Sequence, residues 1–86
     1  MSDPLQKGMC RVVGLRQVLR AIREEKAQLV YLADDASDTI RQDVMKEAQA
    51  HQIPLQKIAT MRSLARMCSV DVPASAAAII KDTQNT

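Results

Sequence analysis

The sequence predicts a single α/β domain in which helices cover both faces of a mixed four-stranded sheet. Short apolar runs alternate along the 86 residues with segments of helical periodicity, in the order β-α-β-α-β-α-β. Strands that alternate with helices need crossover connections, and these place helices on both faces of the sheet. We therefore expect a three-layer α/β/α sandwich over residues 1–86, with an ordered core at about 7–81 and a polar tail at 82–86.

The first strand and the first helix are separated by Gly14. The apolar run MCRVV, residues 9–13, ends at this glycine, and helical periodicity begins directly after it. Four apolar residues then share one helical face at spacing i, i+3, i+4 and i+7: Leu15, Val18, Leu19 and Ile22. Three arginines share the neighbouring face: Arg16, Arg20 and Arg23.

The remaining elements follow from apolar runs and turn residues. LVYLA, residues 29–33, is typical of a buried strand, and DDASD after it predicts a turn that leads into a helix over 38–51. That helix must end before Ile53, because Pro54 disfavours a helical residue in front of it. LQKIA, residues 55–59, predicts a third strand, and Thr60 is a candidate N-cap for a helix over 61–68. The loop SVDVPAS then leads to a last strand, AAAII, residues 76–80.

Charge is unevenly distributed, although the formal net charge is only +2. Basic residues exceed acidic ones over 7–26 and again over 57–66, whereas acidic residues are in excess over 34–47. This pattern predicts a positive patch on one side of the fold, which is typical of a nucleic-acid partner. Tyr31 is the sole aromatic residue, which disfavours proteins that stack bases on aromatic rings.

The two cysteines and the apolar runs bear on location. No apolar stretch opens the sequence and no run reaches about 18 apolar residues, so we expect a cytoplasmic protein that does not enter a membrane. We interpret Cys10 and Cys68 as reduced thiols that act as small buried apolar residues.

Residues that would indicate catalysis are few. No glycine-rich phosphate-binding motif is present, and His51 has no metal-ligand spacing around it. Asp34 and Asp35 follow a strand and could hold Mg²⁺ in a small hydrolase, but a solvated turn is the simpler interpretation. We expect no enzymatic activity, no cofactor and no metal.

The stretch GLRQVLRAIR, residues 14–23, favours a binding function. A helix that starts directly after a strand offers free N–H groups and a partial positive charge, which suit a phosphate or a base edge. Arg16 and Arg20, with Gln17 between them, carry groups that can contact guanine or phosphate. A solvated basic face is the alternative interpretation of this stretch.

Three stretches together resemble the small bacterial members of the L7Ae/L30e ribosomal protein family. GLRQVLRAI resembles the family's helix opening, LVYLADDASD its strand and turn, and LARMCSVDVPASAAAII its last helix, loop and strand. The resemblance covers about residues 9–81. Leu15 stands where the family usually has threonine, and Ala65 and Ser69 stand where it has glycines. If the position of Ser69 requires a left-handed backbone, a serine there costs about 1 kcal/mol or more.

The resemblance implies binding of kink-turn RNA, a helix bent sharply at an internal loop with sheared G·A pairs and one flipped-out nucleotide. It implies that the helix opening contacts the G·A pairs and that the loop before the last strand packs against the flipped-out nucleotide. It also implies that the acidic residue at the end of the second strand belongs to the RNA site. These positions are Gly14, Arg16, Gln17, Arg20 and Asp34, followed by Val70, Asp71, Val72, Pro73 and Ala74. Valines at 70 and 72 suit the face of an unstacked base, and Asp71 can accept a base N–H or a 2′-OH.

Further basic residues are candidates for phosphate contacts: Arg11, Arg23, Lys26 and Arg66. We expect a monomer that binds structured RNA, which could be ribosomal. The alternative is a protein–protein adaptor with the same fold that has lost tight kink-turn binding. The departures at Leu15 and Ser69 are the observation that raises this alternative.

Overall fold

A computed structural model describes residues 12–80, which form three helices and four strands. The strands are β1 (Val12–Val13), β2 (Ala27–Ala33), β3 (Leu55–Ile58) and β4 (Ala76–Ile80). The helices are α1 (Leu15–Arg23), α2 (Asp38–Ala50) and α3 (Met61–Met67). The order confirms the prediction from sequence. The beginning of the predicted first strand, Cys10, Arg11 and the predicted tail lie outside the described residues.

The strands form one mixed sheet in the order β1-β4-β2-β3. β4 lies in the middle and runs antiparallel to both β1 and β2, whereas β2 and β3 are parallel. β2 begins at Ala27, two residues earlier than predicted, because Ala27 still pairs with Ile80 across a register shift before Leu29. Gln28 is polar and lies in that irregular part of the strand, so a search for continuous apolar residues places the start of the strand after it.

The helices cover both faces of the sheet and enclose two apolar cores. On one face, Val18 and Ile22 of α1 and Val44 of α2 pack against Val30 and Leu32 of β2. On the other face, Leu64 of α3 and Cys68, the residue that follows this helix, pack against Ala33 and Ala77. This confirms the three-layer α/β/α arrangement, with α1 and α2 in one layer and α3 in the other.

The first three residues of the central strand β4 are alanines, and two isoleucines follow them. Ala76, Ala77 and Ala78 are completely buried. Because these three positions carry no bulky side chain on either face, the segments on both sides of the sheet can approach this part of the strand closely. The alanine run singled out in the sequence is therefore the thin centre of the sheet.

The three helices end in the same way. After the last turn, the residues Glu25, Gln52 and Ser69 adopt a left-handed backbone, with φ of 59°, 58° and 59°. In each case this residue and the next one donate N–H groups to carbonyls of the last turn, as in Ser69 N–H to Arg66 O at 3.2 Å and Val70 N–H to Ala65 O at 3.0 Å. These are Schellman motifs without glycine. The left-handed position considered for Ser69 is confirmed.

The predicted cap at Thr60 is present, and Ser37 caps α2 in the same way. The Ser37 hydroxyl accepts the N–H of Ile40 at the start of α2, and the Thr60 hydroxyl accepts the N–H of Ser63 at the start of α3. None of the helices within residues 12–80 is long and apolar enough to cross a bilayer.

Candidate RNA interface

The predicted site residues come together at one edge of the sheet. Three backbone hydrogen bonds join the segments there: Gly14 N–H to Ala76 O at 2.9 Å, Ala33 N–H to Ser75 O at 2.9 Å, and Asp34 N–H to Ile58 O at 2.7 Å. The start of α1, the end of β2 and the residues just before β4 are therefore fixed to one another through the sheet. Residues distant in sequence form one continuous edge.

The start of α1 is open to an external ligand. Gly14, the N-cap residue, has φ 112° and ψ 150°, a conformation that L-residues rarely adopt, so the strand-to-helix turn needs a glycine. No side chain within residues 12–80 caps this helix, and its first turn contains no acidic residue. Arg16 and Gln17 are exposed beside it. Free N–H groups and the helix dipole at such an end attract anions.

The basic residues of α1 differ in whether an acid already neutralises them. Arg20 donates to Glu24 at 3.3 Å, and Arg23 lies 3.5 Å from Glu47 of α2. Lys26 lies 3.4 Å from Glu24. Arg16 makes no such pair with any residue of the 12–80 range. Of the predicted cations in this part of the chain, Arg16 is therefore the one without a carboxylate partner among residues 12–80.

Glu24 is an acidic residue that pairs with the basic residues Arg20 and Lys26 at the end of α1. The hydrogen bond from Arg20, together with Lys26, lowers the pKa of the Glu24 carboxyl below its ordinary value. The carboxylate stays ionised next to the open groove of about 590 Å³ that Arg16, Gln17 and Arg20 line. It therefore reduces the positive charge at the far end of α1 and concentrates it at the start.

Asp34 lies at the end of β2 and is exposed, with 55% of its side chain accessible. One of its oxygens is 4.0 Å from Nη1 of Arg41, whose other terminal nitrogen pairs with Asp38. Arg41, on α2, is therefore a neighbour of the predicted site that the sequence patterns did not indicate. Its charge lies near Asp34 without a hydrogen bond, and the Asp34 carboxylate stays accessible.

The loop 70–74 divides into an anchored part and an exposed part. Ala74 is buried, and its N–H donates to Met61 O at 3.3 Å, while Val70 packs partly against the core beneath α3. Asp71, Val72 and Pro73 are exposed, and Val72 is 63% accessible. An exposed apolar residue on a loop anchored at both ends is suited to contact with the face of a base.

Asp35 has a structural role that the sequence patterns did not reveal. Its Oδ1 accepts the N–H of Met61 at 2.9 Å, so it caps α3 from a turn 26 residues earlier in the chain. Within the described range, no three His, Cys, Asp or Glu side chains are placed to hold a metal ion. Asp35 therefore joins the turn after β2 to α3, while Asp34 lies near Arg41 of α2.

Most of the predicted residues line one of two separate grooves. Arg16, Gln17 and Arg20 line the groove along α1. Val70–Pro73 line a second cleft against α3. Gly14, Asp34 and Ala74 line neither of them, and each donates a backbone hydrogen bond to another segment: Gly14 to Ala76, Asp34 to Ile58 and Ala74 to Met61.

The sequence of this chain matches a known family. The chain belongs to the family described as ribosomal protein L7Ae/L30e/S12e/Gadd45, whose model matches residues 6–86. An RNA-binding protein of Geobacillus sp. (strain WCH70) is 40% identical over 70 residues, covering 81% of this chain and 85% of the relative. An RNA-binding protein of Caldanaerobacter subterraneus is 38% identical over 68 residues, covering 79% of this chain and 83% of the relative.

Solved structures agree with this fold. The Giardia lamblia 15.5 kD RNA-binding protein matches with a TM-score of 0.70 and 30% identity over 83% of this chain. This chain spans 60% of the length of that protein. A Bacillus halodurans protein of unknown function matches with a TM-score of 0.74 at 22% identity, which supports the fold alone.

Proposed function

We propose that this chain is a non-catalytic RNA-binding protein that recognises kink-turn RNA as a cytoplasmic monomer, with ribosomal RNA as one candidate target. The observation that carries the proposal is the sheet edge at which the uncapped start of α1 and the exposed 70–74 loop are joined through the sheet. Membership of the family and the names of the two relatives support RNA as the ligand.

The start of α1 would contact the sheared G·A pairs. Its free N–H groups and the Arg16 guanidinium can bind phosphate or guanine acceptors, and Gln17 can both donate and accept. Arg20 would contribute less charge, because Glu24 is bound to it at 3.3 Å. A sharply bent RNA helix presents these groups in a geometry that a straight duplex lacks, so binding at this rigid edge would select RNA shape.

The loop would hold the flipped-out nucleotide. Val72 can cover the face of the base, and Asp71 can accept a hydrogen bond from a base edge or from a 2′-OH. Because Val70 and Ala74 anchor the loop in the α3 core, little ordering would be needed on binding. Asp34, 4.0 Å from Arg41 and exposed, would accept a base N–H.

The first test is a titration of labelled kink-turn RNA with the full chain at two salt concentrations. The control RNA has its G·A pairs replaced by Watson–Crick pairs. Tighter binding to the kink-turn at both salt concentrations is expected. Equal, weak and salt-sensitive binding to both RNAs would refute the proposal and point to a protein partner on this fold.

Two variants separate the assigned roles. Arg16→Gln is expected to weaken binding and to lower the salt slope by about 0.7–0.9, the loss of one phosphate contact. Val72→Ser is uncharged and is expected to weaken binding about 5–10-fold with little change in slope, because it removes an apolar contact. Lys46→Gln, at an exposed position of α2, is the charge-matched control for Arg16. Identical slopes for all three variants would contradict this division.

A further inference from the structure

A second cleft lies between α3 and the 70–74 loop. It has a volume of about 380 Å³ and lies between Arg62, Ala65 and Arg66 of α3 and the loop residues Val70–Pro73. No residue of α1 lines it. The cleft and the groove along α1 share no lining residue, and only the groove along α1 is accounted for by the proposed contact with the G·A pairs.

Arg62 and Arg66 are four residues apart on the outer face of α3 and are both exposed. Within residues 12–80, neither of them forms a salt bridge or a side-chain hydrogen bond. Arg20, Arg23 and Arg41, by contrast, are each within 4.0 Å of a carboxylate. Two unpaired cations one helical turn apart repel each other, so an anion between them would relieve the repulsion.

We infer that this cleft binds the RNA backbone next to the flipped-out nucleotide, with a phosphodiester between Arg62 and Arg66. The inference rests on the proposed function. It follows from continuity, because Val70–Pro73 line this cleft and also form the loop assigned to the nucleotide. A nucleotide held at Val72 must be followed by a phosphate within one sugar unit, and guanidinium groups bind phosphate oxygens bidentately.

The rest of the cleft fits a sugar–phosphate chain. Pro73 and Val72 give it an apolar wall against which a ribose can pack, and Asp71 offers an acceptor for a 2′-OH. The Asp71 carboxylate makes the cleft less favourable for a free anion than for a chain that supplies a hydroxyl beside its phosphate. An acidic peptide would satisfy the arginines but would place carboxylates near Asp71.

The test combines protein variants with chemically altered kink-turn RNA. A methylphosphonate neutralises one linkage at a time on either side of the unpaired nucleotide. Each is placed on a 2′-deoxy nucleotide, and the same RNA with an ordinary phosphate is the reference. Affinities of the full-length wild type, Arg62→Gln, Arg66→Gln and the control Lys46→Gln are measured for every RNA. All the substituted side chains are exposed, and circular dichroism checks that the variants fold.

We expect one or two linkages whose neutralisation weakens wild-type binding about 5–10-fold and leaves Arg62→Gln and Arg66→Gln much less affected. Each of these variants should also lower the salt slope by about 0.7, whereas Lys46→Gln should show the full methylphosphonate effect. Two results would overturn the inference alone. One is wild-type affinity for the RNA in both arginine variants. The other is a loss of affinity no larger than that of Lys46→Gln, with the same methylphosphonate effect as the wild type at every linkage. Loss of kink-turn preference in the wild type would overturn the proposed function and the inference together.

Discussion

Ser69, directly after α3, provides the sharpest test of the backbone geometry. It has φ 59° and its side chain is exposed, so the left-handed conformation is imposed by the helix end and is not compensated by packing. We predict that Ser69→Gly stabilises the protein. Glycine adopts this conformation without a steric penalty and keeps both backbone hydrogen bonds of the motif.

The magnitude follows from two opposing effects. A residue with a Cβ in the left-handed region costs about 1–2 kcal/mol, which the glycine removes. The greater freedom of glycine in the unfolded chain takes back about 0.4–1 kcal/mol. The net gain in unfolding free energy is about 0.5–1 kcal/mol, which corresponds to a rise in Tm of about 2–8 °C for a domain of this size.

Thermal and urea unfolding of the wild type, Ser69→Gly and Ser69→Ala would measure this effect. Alanine keeps the Cβ and loses only the hydroxyl, so it should not show the gain. Gln52→Gly, at the equivalent position after α2, should behave like Ser69→Gly. If Ser69→Gly were no more stable than Ser69→Ala, the assigned backbone strain would be wrong.

Three further effects can be measured in the same way. Leu64→Ala should lower the free energy of unfolding by about 2–5 kcal/mol in urea, because Leu64 is completely buried under the sheet; a loss below about 1 kcal/mol would mean that it is not. Asp35→Ala should cost about 1 kcal/mol in thermal unfolding, because the Met61 N–H at the start of α3 loses its acceptor, and an unchanged Tm would remove that role. The pKa of Glu24 is lower in the folded protein, so its contribution is present at neutral pH and is lost as the pH falls through that lowered value. The wild type should therefore be more stable than Glu24→Gln at pH 7, and the difference should disappear in acid; a difference that persisted in acid would contradict the charge interaction with Arg20.

The order and type of the elements could be predicted because each has a local cause. Gly14 marks the boundary between β1 and α1, and Pro54 prevents α2 from continuing. Thr60 caps α3 with its own hydroxyl. The apolar spacing that begins at Leu15 gives the buried face of α1, where Val18 and Ile22 are completely buried. The left-handed backbone at Glu25 and Gln52 could not be predicted from the sequence, because these side chains do not favour that conformation.

The site was predictable where it depends on one continuous stretch. The exposed Val72 and the open helix start after Gly14 both agree with expectation. Asp35 was missed because its partner Met61 lies 26 residues away, and no local pattern records such a pair. The availability of Arg16, compared with the pairing of Arg23 and Glu47 between two helices, depends in the same way on tertiary contacts. Whether the predicted positions bind RNA stays a prediction.

The position of β4 in the sheet has a consequence for how this protein is made. β4 is the last strand in sequence, yet it lies between β1 and β2, and β1 pairs with no other described strand. During synthesis, the first strand and the start of α1 must wait for residues 76–80 to leave the ribosome before their partner exists. The edge at Gly14 therefore cannot form before residues 76–80 have left the ribosome, so a shorter nascent chain has no complete candidate interface.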